Sequence, residues 1–167
     1  MAVFGELDWQ RLDVTAIVTH GGLATVALDD YPRYADWLAE EGYVVERLDC
    51  SLGFGPMLEA FGQMQYWEEQ FGYALTAENA NLDAIRDGFE FDIDDEGGCV
   101  FELHRPDLLW PEHQSFLAGL LAIACEHTRV QMAQGRRFFT SLIVPAESLL
   151  LGTAIDSIKV PWPQRWR

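Results

Sequence analysis

The most informative stretch of this sequence is Asn-Leu-Asp-Ala-Ile-Arg-Asp at residues 81–87. Asn81 is a favourable N-cap residue, because its side chain can accept a hydrogen bond from a free backbone N–H group in the first turn of a helix. The sequence therefore predicts a helix that begins at Leu82. Asp83 falls in the first turn of that helix, where the positive end of the helix dipole stabilises an anion.

Asp87 has no comparable structural reason to be acidic. It lies four residues after Asp83 and faces the same side of the helix, where a pair of like charges costs roughly 0.2–0.5 kcal/mol. Because stability alone does not favour this pair, we interpret Asp83 and Asp87 as a functional acidic face.

The stretch resembles the signature of the barstar-like inhibitors of small secreted ribonucleases, Asn-Leu-Asp-Ala-Leu-x-Asp, which opens their inhibitory helix. Ile85 takes the place of the usual Leu. The order of the surrounding elements is also similar to that family. We predict strands at residues 43–49, 99–103 and 137–144, a helix from about Pro56, and a long helix over residues 111–134. The resemblance covers residues 43–144.

The resemblance implies a protein that plugs the active site of a basic ribonuclease or a related toxin nuclease, with Asp83 and Asp87 standing in for substrate phosphate. The predicted partner-binding residues are Asp83, Asp87, Asn81, Arg86, Phe71, Tyr73 and Glu78. Arg86 departs from the family, in which this position is often aromatic, and it repels a basic partner unless Asp83 or Glu90 neutralises it. Phe71 and Tyr73 are either contacts of the binding face or apolar filler beneath the loop.

Charge and cysteine content set the class of partner and the compartment. The net charge of −16 and the sequence pI near 4.4 argue against direct binding of nucleic acid and favour a basic protein partner, although acidity also keeps a protein dispersed in solution. The three Cys residues form no C-x-x-C pair, which predicts neither a disulfide framework nor a zinc site and favours a cytoplasmic location. No run approaches the length of about 20 apolar residues that a membrane span requires.

The predicted architecture is α/β, with a short parallel β-sheet flanked by helices. Each connection between the predicted strands is long enough for a crossover, which allows parallel pairing. Residues 1–42 are expected to form an addition made of a β-hairpin, with strands at residues 15–20 and 23–28 joined by Gly21-Gly22, and a short helix. By the same resemblance, residues 43–144 are expected to form a domain similar to the barstar family, and residues 145–167 are expected to form an apolar extension that packs on it.

The alternative function is a small hydrolase or a metal-dependent enzyme that uses paired carboxylates. The acidic run at residues 92–98 has oxygen ligands and a Gly at the spacing of a calcium loop, but Leu103 stands where that loop requires a bidentate Glu. The four His residues form no H-E-x-x-H motif. We therefore predict no catalytic residue, no metal and no cofactor.

Overall fold

The computed structural model describes residues 11–163, which form six α-helices and six β-strands. In chain order these are α1 (Leu12–Thr19), β1 (Leu23–Ala27), α2 (Tyr31–Glu40), β2 (Tyr43–Asp49), α3 (Phe54–Met64), α4 (Trp67–Phe71), α5 (Leu82–Gly88), β3 (Gly98–His104), α6 (Trp110–Ala133), β4 (Arg137–Val144), β5 (Ala154–Ile155) and β6 (Ile158–Lys159). The predicted strands at residues 43–49 and 137–144 are confirmed to the residue. The helix predicted from Pro56 begins two residues earlier, at Phe54.

Four parallel strands in the order β1-β4-β3-β2 make the main sheet, which confirms the predicted α/β class. The chain steps across the sheet from β2 to β3 to β4 with α3 to α6 as crossovers. The connection from β1 to β2 crosses the whole sheet in the opposite direction. Because parallel crossovers are right-handed, this reversal places α2 on the opposite face of the sheet from α6.

The two faces of the sheet bury separate cores. One core contains Phe101 and Leu103 of β3 with side chains of α3, α5 and α6, and the other contains Val100 of β3 with Tyr34 and Leu38 of α2. Alternate residues of β3 point to opposite faces, as the pleat of a strand requires. The first core supports α5, and the second surrounds a polar cluster described below.

The predicted N-terminal hairpin is wrong. Residues 15–19 belong to α1, whose buried Val14 and Ile17 are three residues apart, as on one face of a helix. Gly21 and Gly22 both have positive φ and end this helix instead of turning a hairpin, and the Gly22 N–H group donates to the Ala16 carbonyl at 2.8 Å. The strand after them, β1, pairs in parallel with β4 and not with the segment before it.

The segment after β4 packs on the domain. Leu150, Ile155 and Val160 are buried in the same core as α5 and α6, and β5 and β6 pair as a two-residue antiparallel ladder. Residues 1–10 of the predicted addition and residues 164–167 of the predicted extension lie outside the described residues. The division of the chain at residues 42 and 144 stays a prediction, although β1 shares the main sheet.

Candidate functional site

The helix predicted from the motif forms as expected. α5 begins at Leu82, and the side chain of Asn81 accepts hydrogen bonds from the backbone N–H groups of Asp83 at 2.8 Å and Ala84 at 3.4 Å. Before it, the loop is held by Asn79, whose side-chain oxygen accepts from the Thr76 N–H group and whose amide donates to the Ala74 carbonyl. Two local caps therefore fix the entry of the chain into α5.

Close packing on two sides holds α5 against the domain. Ile85 is fully buried beneath it, and Leu82 lies over Gly119 of α6, where an added Cβ atom would come within 2.4 Å of the Leu82 side chain. At the other end, a Cβ atom on Gly88 would lie 2.7 Å from the ring of Phe71. These contacts fix the helix against the domain from its inner side.

The outward side of α5 carries the two predicted carboxylates. The Asp83 side chain is 92% exposed, and Asp87 is also exposed. Arg86, between them, pairs with Asp83 at 3.5 Å and with Glu126 of α6 at 3.0 Å. Its charge is therefore balanced by Asp83, one of the two residues considered from the sequence, and by Glu126, which the sequence did not indicate.

The remaining predicted partner-binding residues separate into two groups. Phe71 is partly buried, packs against Trp67 with ring centroids 4.3 Å apart, and supports Gly88 from below. Tyr73 and Glu78 are exposed on the loop that leads to α5. The structure thus places Phe71 in a supporting position and leaves Tyr73 accessible. Their role in binding stays a prediction.

A groove beside this loop was not indicated by the sequence. It has a volume of about 510 Å³ and lies between α3, α4 and residues 74–76. Its walls carry Glu59, Glu68 and Glu69 together with Tyr66 and Trp67. Tyr66 has a left-handed backbone with φ of 50° and breaks the chain between α3 and α4. That break cannot be read from the apolar spacing, which runs on from Met64 to Trp67.

A second set of polar residues lies on the α2 face of the sheet, around a buried carboxylate. Glu102 of β3 is fully buried, and one carboxylate oxygen accepts from the Tyr31 hydroxyl at 3.1 Å, from Arg47 Nε at 3.3 Å and from His104 Nε2 at 2.9 Å. Arg47 also donates to the Tyr31 hydroxyl and lies over its ring. We call these four residues the Glu102 cluster.

The Glu102 cluster follows from strand register. Arg47 of β2, Glu102 of β3 and Ser141 of β4 are cross-strand neighbours, and Ser141 bonds to the hydroxyl of Tyr34 from α2. Burial, reinforced by the charge of Glu102, raises the pKa of Tyr31 to about 12, so its hydroxyl stays protonated as a donor. The second oxygen of Glu102 has no protein partner among the described residues. The sequence signal for this cluster is the charge of Glu102 within the apolar run of β3.

Metal-ligating side chains and cysteine thiols both lie within the described range. Residues 11–163 contain no group of three or more metal-ligating side chains. Cys50, Cys99 and Cys125 are buried and free, and burial raises the pKa of each thiol to about 12. Among the described helices, none has both the length and the apolar composition needed to cross a bilayer.

The structure defines a protein of the parallel α/β class with an acidic helix on its surface. Comparisons with protein-family models, curated proteins and solved structures find no match to this chain.

Proposed function

We propose that the chain is a protein inhibitor that binds a basic nuclease through the outward face of α5 and blocks its active site. The observation that carries the proposal is the presentation of Asp83 and Asp87 on a capped, rigidly packed helix. Asp87 makes no ion pair with any described residue, so its charge is available to a partner. A ribonuclease that cleaves phosphodiesters needs cationic groups in its active site, and carboxylates can pair with those groups in place of phosphate.

The rigid support of α5 favours binding over acid–base catalysis by the same residues. Side chains on a helix whose cap and packing are already formed lose little backbone freedom when a partner binds. A catalytic pair of carboxylates, by contrast, needs unequal environments that move the two pKa values apart. Asp83 and Asp87 both face solvent on the same surface, which suits a protein contact better than the alternative of a hydrolase.

Immunity to a toxin nuclease is the biological role that fits this proposal. The net charge of −16 gives the chain a long-range attraction to a basic protein and a repulsion from the nucleic acid that the nuclease would bind. Inhibition then requires only that the chain cover the active site of the nuclease, without any reaction catalysed by the chain itself.

The proposal is tested by titrating the purified chain against a panel of basic microbial ribonucleases and toxin nucleases while substrate cleavage is followed. We expect stoichiometric inhibition of at least one enzyme, with an association rate that falls as salt is raised. A pull-down with the same chain identifies partners outside the panel. Absence of both inhibition and a captured nuclease would overturn the proposal, and a salt-independent association rate would remove electrostatic steering from it.

A further inference from the structure

We infer that the outer edge of β2 binds an extended, cationic segment of a protein partner, which adds to the main sheet as a further strand. The strand order β1-β4-β3-β2 places β2 at the end of the sheet, and within residues 11–163 only β3 pairs with it. The edge is formed by residues other than those of the acidic face of α5, so the inference stands whether or not the chain inhibits a nuclease.

Backbone groups suited to strand addition point outward from alternate residues of β2. The Cys50 N–H group donates to the His104 carbonyl at the end of β3 at 2.8 Å, and the two strands pair regularly over residues 43–49. In a parallel ladder, a residue that bonds to one neighbouring strand directs both of its backbone groups there, and the next residue directs both away. The even-numbered residues of β2 therefore bond to β3. Val45 and Arg47 direct their N–H and C=O groups to the free edge.

The outer edge of β2 is open to solvent and lacks the usual protection of an edge strand. Val44 is 48% exposed and Val45 is 38% exposed, and within residues 11–163 no backbone hydrogen bond reaches the outward groups. β2 contains no proline and pairs with β3 without a bulge, whereas all five residues of the opposite edge strand, β1, are buried. An open edge with exposed valines is a template for another strand, because an extended peptide can complete its hydrogen bonds.

Glu46, in the middle of β2, indicates the charge of the added segment. Its side chain is partly buried and makes no ion pair within residues 11–163, and burial raises the pKa of its carboxyl group. Burying a charge without a partner is costly, so a charge that only kept the edge from pairing would be better placed in full contact with water. A lysine or arginine opposite Glu46 on an added strand would pair with this carboxylate. Arg47 already has Glu102 as its counter-charge.

A second copy of the chain fits this edge less well than a cationic segment does. Antiparallel pairing of two β2 strands over their full length, about a two-fold axis, would place the two Glu46 carboxylates opposite each other. Each copy also carries a net charge of −16. A cationic segment avoids both repulsions, and we assign it the antiparallel direction, because parallel pairing is slightly less stable. Its pattern is a cation opposite Glu46, β-branched residues opposite Val44 and Val45, and an uncharged residue opposite Arg47.

The experiment uses the whole ¹⁵N-labelled chain and the peptide acetyl-Thr-Thr-Lys-Val-Val-Thr-amide as the probe. In antiparallel pairing its Lys lies opposite Glu46 and its two Val residues lie opposite Val45 and Val44. We expect a dissociation constant of roughly 1 mM, as suits a short flexible peptide. At ten times that concentration, the amide N–H groups of Val45 and Arg47 should exchange with water about tenfold more slowly. Those of Val44 and Glu46, which already bond to β3, should change little.

Matched peptides separate strand addition from other kinds of contact. N-methylation of the first Val removes the N–H group that would bond to the Val45 carbonyl, and it should abolish the protection. Replacement of Lys by N-ε-acetyllysine keeps the length of the side chain without the charge. It should weaken binding about fivefold, as suits an ion pair at the surface.

Variants of the chain test the same contacts from the other side. Glu46→Gln should weaken peptide binding about fivefold. Glu147→Gln changes the net charge equally at an exposed position after β4 and should leave binding unchanged. Val45→Pro removes an outward N–H group but no bond to β3, so it should block peptide binding. Retained protection of the Val44 and Glu46 amides shows that this variant is folded.

Three outcomes would overturn the inference. The first is protection that does not alternate along β2, and the second is equal protection by the N-methylated peptide. The third is a dimer of the chain, detected by sedimentation without peptide, in which the Val45 and Arg47 amides are already protected, since a second copy would then occupy the edge. None of these measurements depends on inhibition of a nuclease.

Discussion

The acidic face of α5 and the Glu102 cluster are two carboxylate sites with opposite physical characters. Asp83 is 92% exposed and its nearest partner is a surface arginine, whereas Glu102 is fully buried and accepts three hydrogen bonds through one oxygen. Surface ion pairs contribute little to stability, while removing one member of a buried pair is costly. The carboxylates on α5 are therefore accessible from solvent, and Asp83 is held only by a surface ion pair, whereas Glu102 is bound into the fold by its buried contacts.

Removal of Glu102 is expected to give the largest effect on stability. Glu102→Ala leaves Tyr31 and His104 without their shared acceptor and leaves Arg47 without its counter-charge. Because the Arg47 side chain is half exposed and can regain hydration, we expect a loss of about 2–3 kcal/mol rather than the full cost of breaking a buried pair. Urea unfolding measures this change in the free energy of unfolding. Glu102→Gln keeps a hydrogen-bond acceptor and should lose less stability than Glu102→Ala. Equal stability of Glu102→Ala and the wild type would show that Glu102 has no structural role.

Lowering the pH is expected to destabilise the fold through His127, a histidine packed among aromatic rings in the core. Burial lowers the pKa of His127 from 6.5 to about 4, among the rings of Phe89, Phe91 and Phe138. As the pH falls through 6.5, the unfolded chain gains a proton on this residue, whereas the folded chain does not until about pH 4. The contribution of the neutral His127 to the free energy of unfolding is therefore complete above pH 6.5 and is lost as the pH falls from 6.5 to about 4.

The expected loss from His127 between pH 7 and pH 4 is roughly 1–2 kcal/mol, since solvent reaches part of the ring. Carboxylates titrate in the same range, so the measurement is the difference between the wild type and His127→Phe in urea unfolding at both pH values. The variant should lose less stability on acidification by that amount. Parallel pH profiles of the two proteins would show that His127 does not contribute.

The N-cap of α5 is expected to have a smaller effect. Asn81→Ala removes the acceptor for the N–H groups of Asp83 and Ala84 and should lower the free energy of unfolding by about 1 kcal/mol. Amide hydrogen exchange of the first turn should become faster. Asn81→Asp, which retains the cap, is the matched control, and an unchanged exchange rate in Asn81→Ala would mean that packing alone orders this turn.

Local signals account for the parts of the fold that could be predicted. The cap at Asn81 and the apolar runs of β2 and β4 act over a few residues, and the structure agrees with them. The run before Gly21-Gly22 predicts a strand and forms a helix, because β-branched residues and paired glycines also suit the end of a helix packed into a core.

The Glu102 cluster and the groove depend on contacts between distant residues. Tyr31 and Glu102 are separated by 71 positions, and only the register of the parallel sheet brings Arg47 beside them. The groove depends on the left-handed conformation of Tyr66, for which no local residue preference exists. The charge of Glu102 inside an apolar strand is a sequence signal for the Glu102 cluster. The sequence carries no comparable signal for the groove.

The proposed inhibition requires that the acidic face of α5 bind a basic nuclease, and we expect folding not to depend on that face. The most direct measurement compares Asp87→Ala and Asp83→Ala by calorimetric titration against a nuclease inhibited by the wild type, with thermal unfolding of each free variant. Asp87→Ala should lose on the order of 2–5 kcal/mol of binding free energy, because its partner cation is left unpaired, while its Tm is unchanged or slightly raised. Asp83→Ala should lose less affinity and slightly lower the Tm, since it loses a favourable dipole interaction. If Asp87→Ala unfolds, or if it binds the nuclease as tightly as the wild type, the proposed role of the α5 face is contradicted.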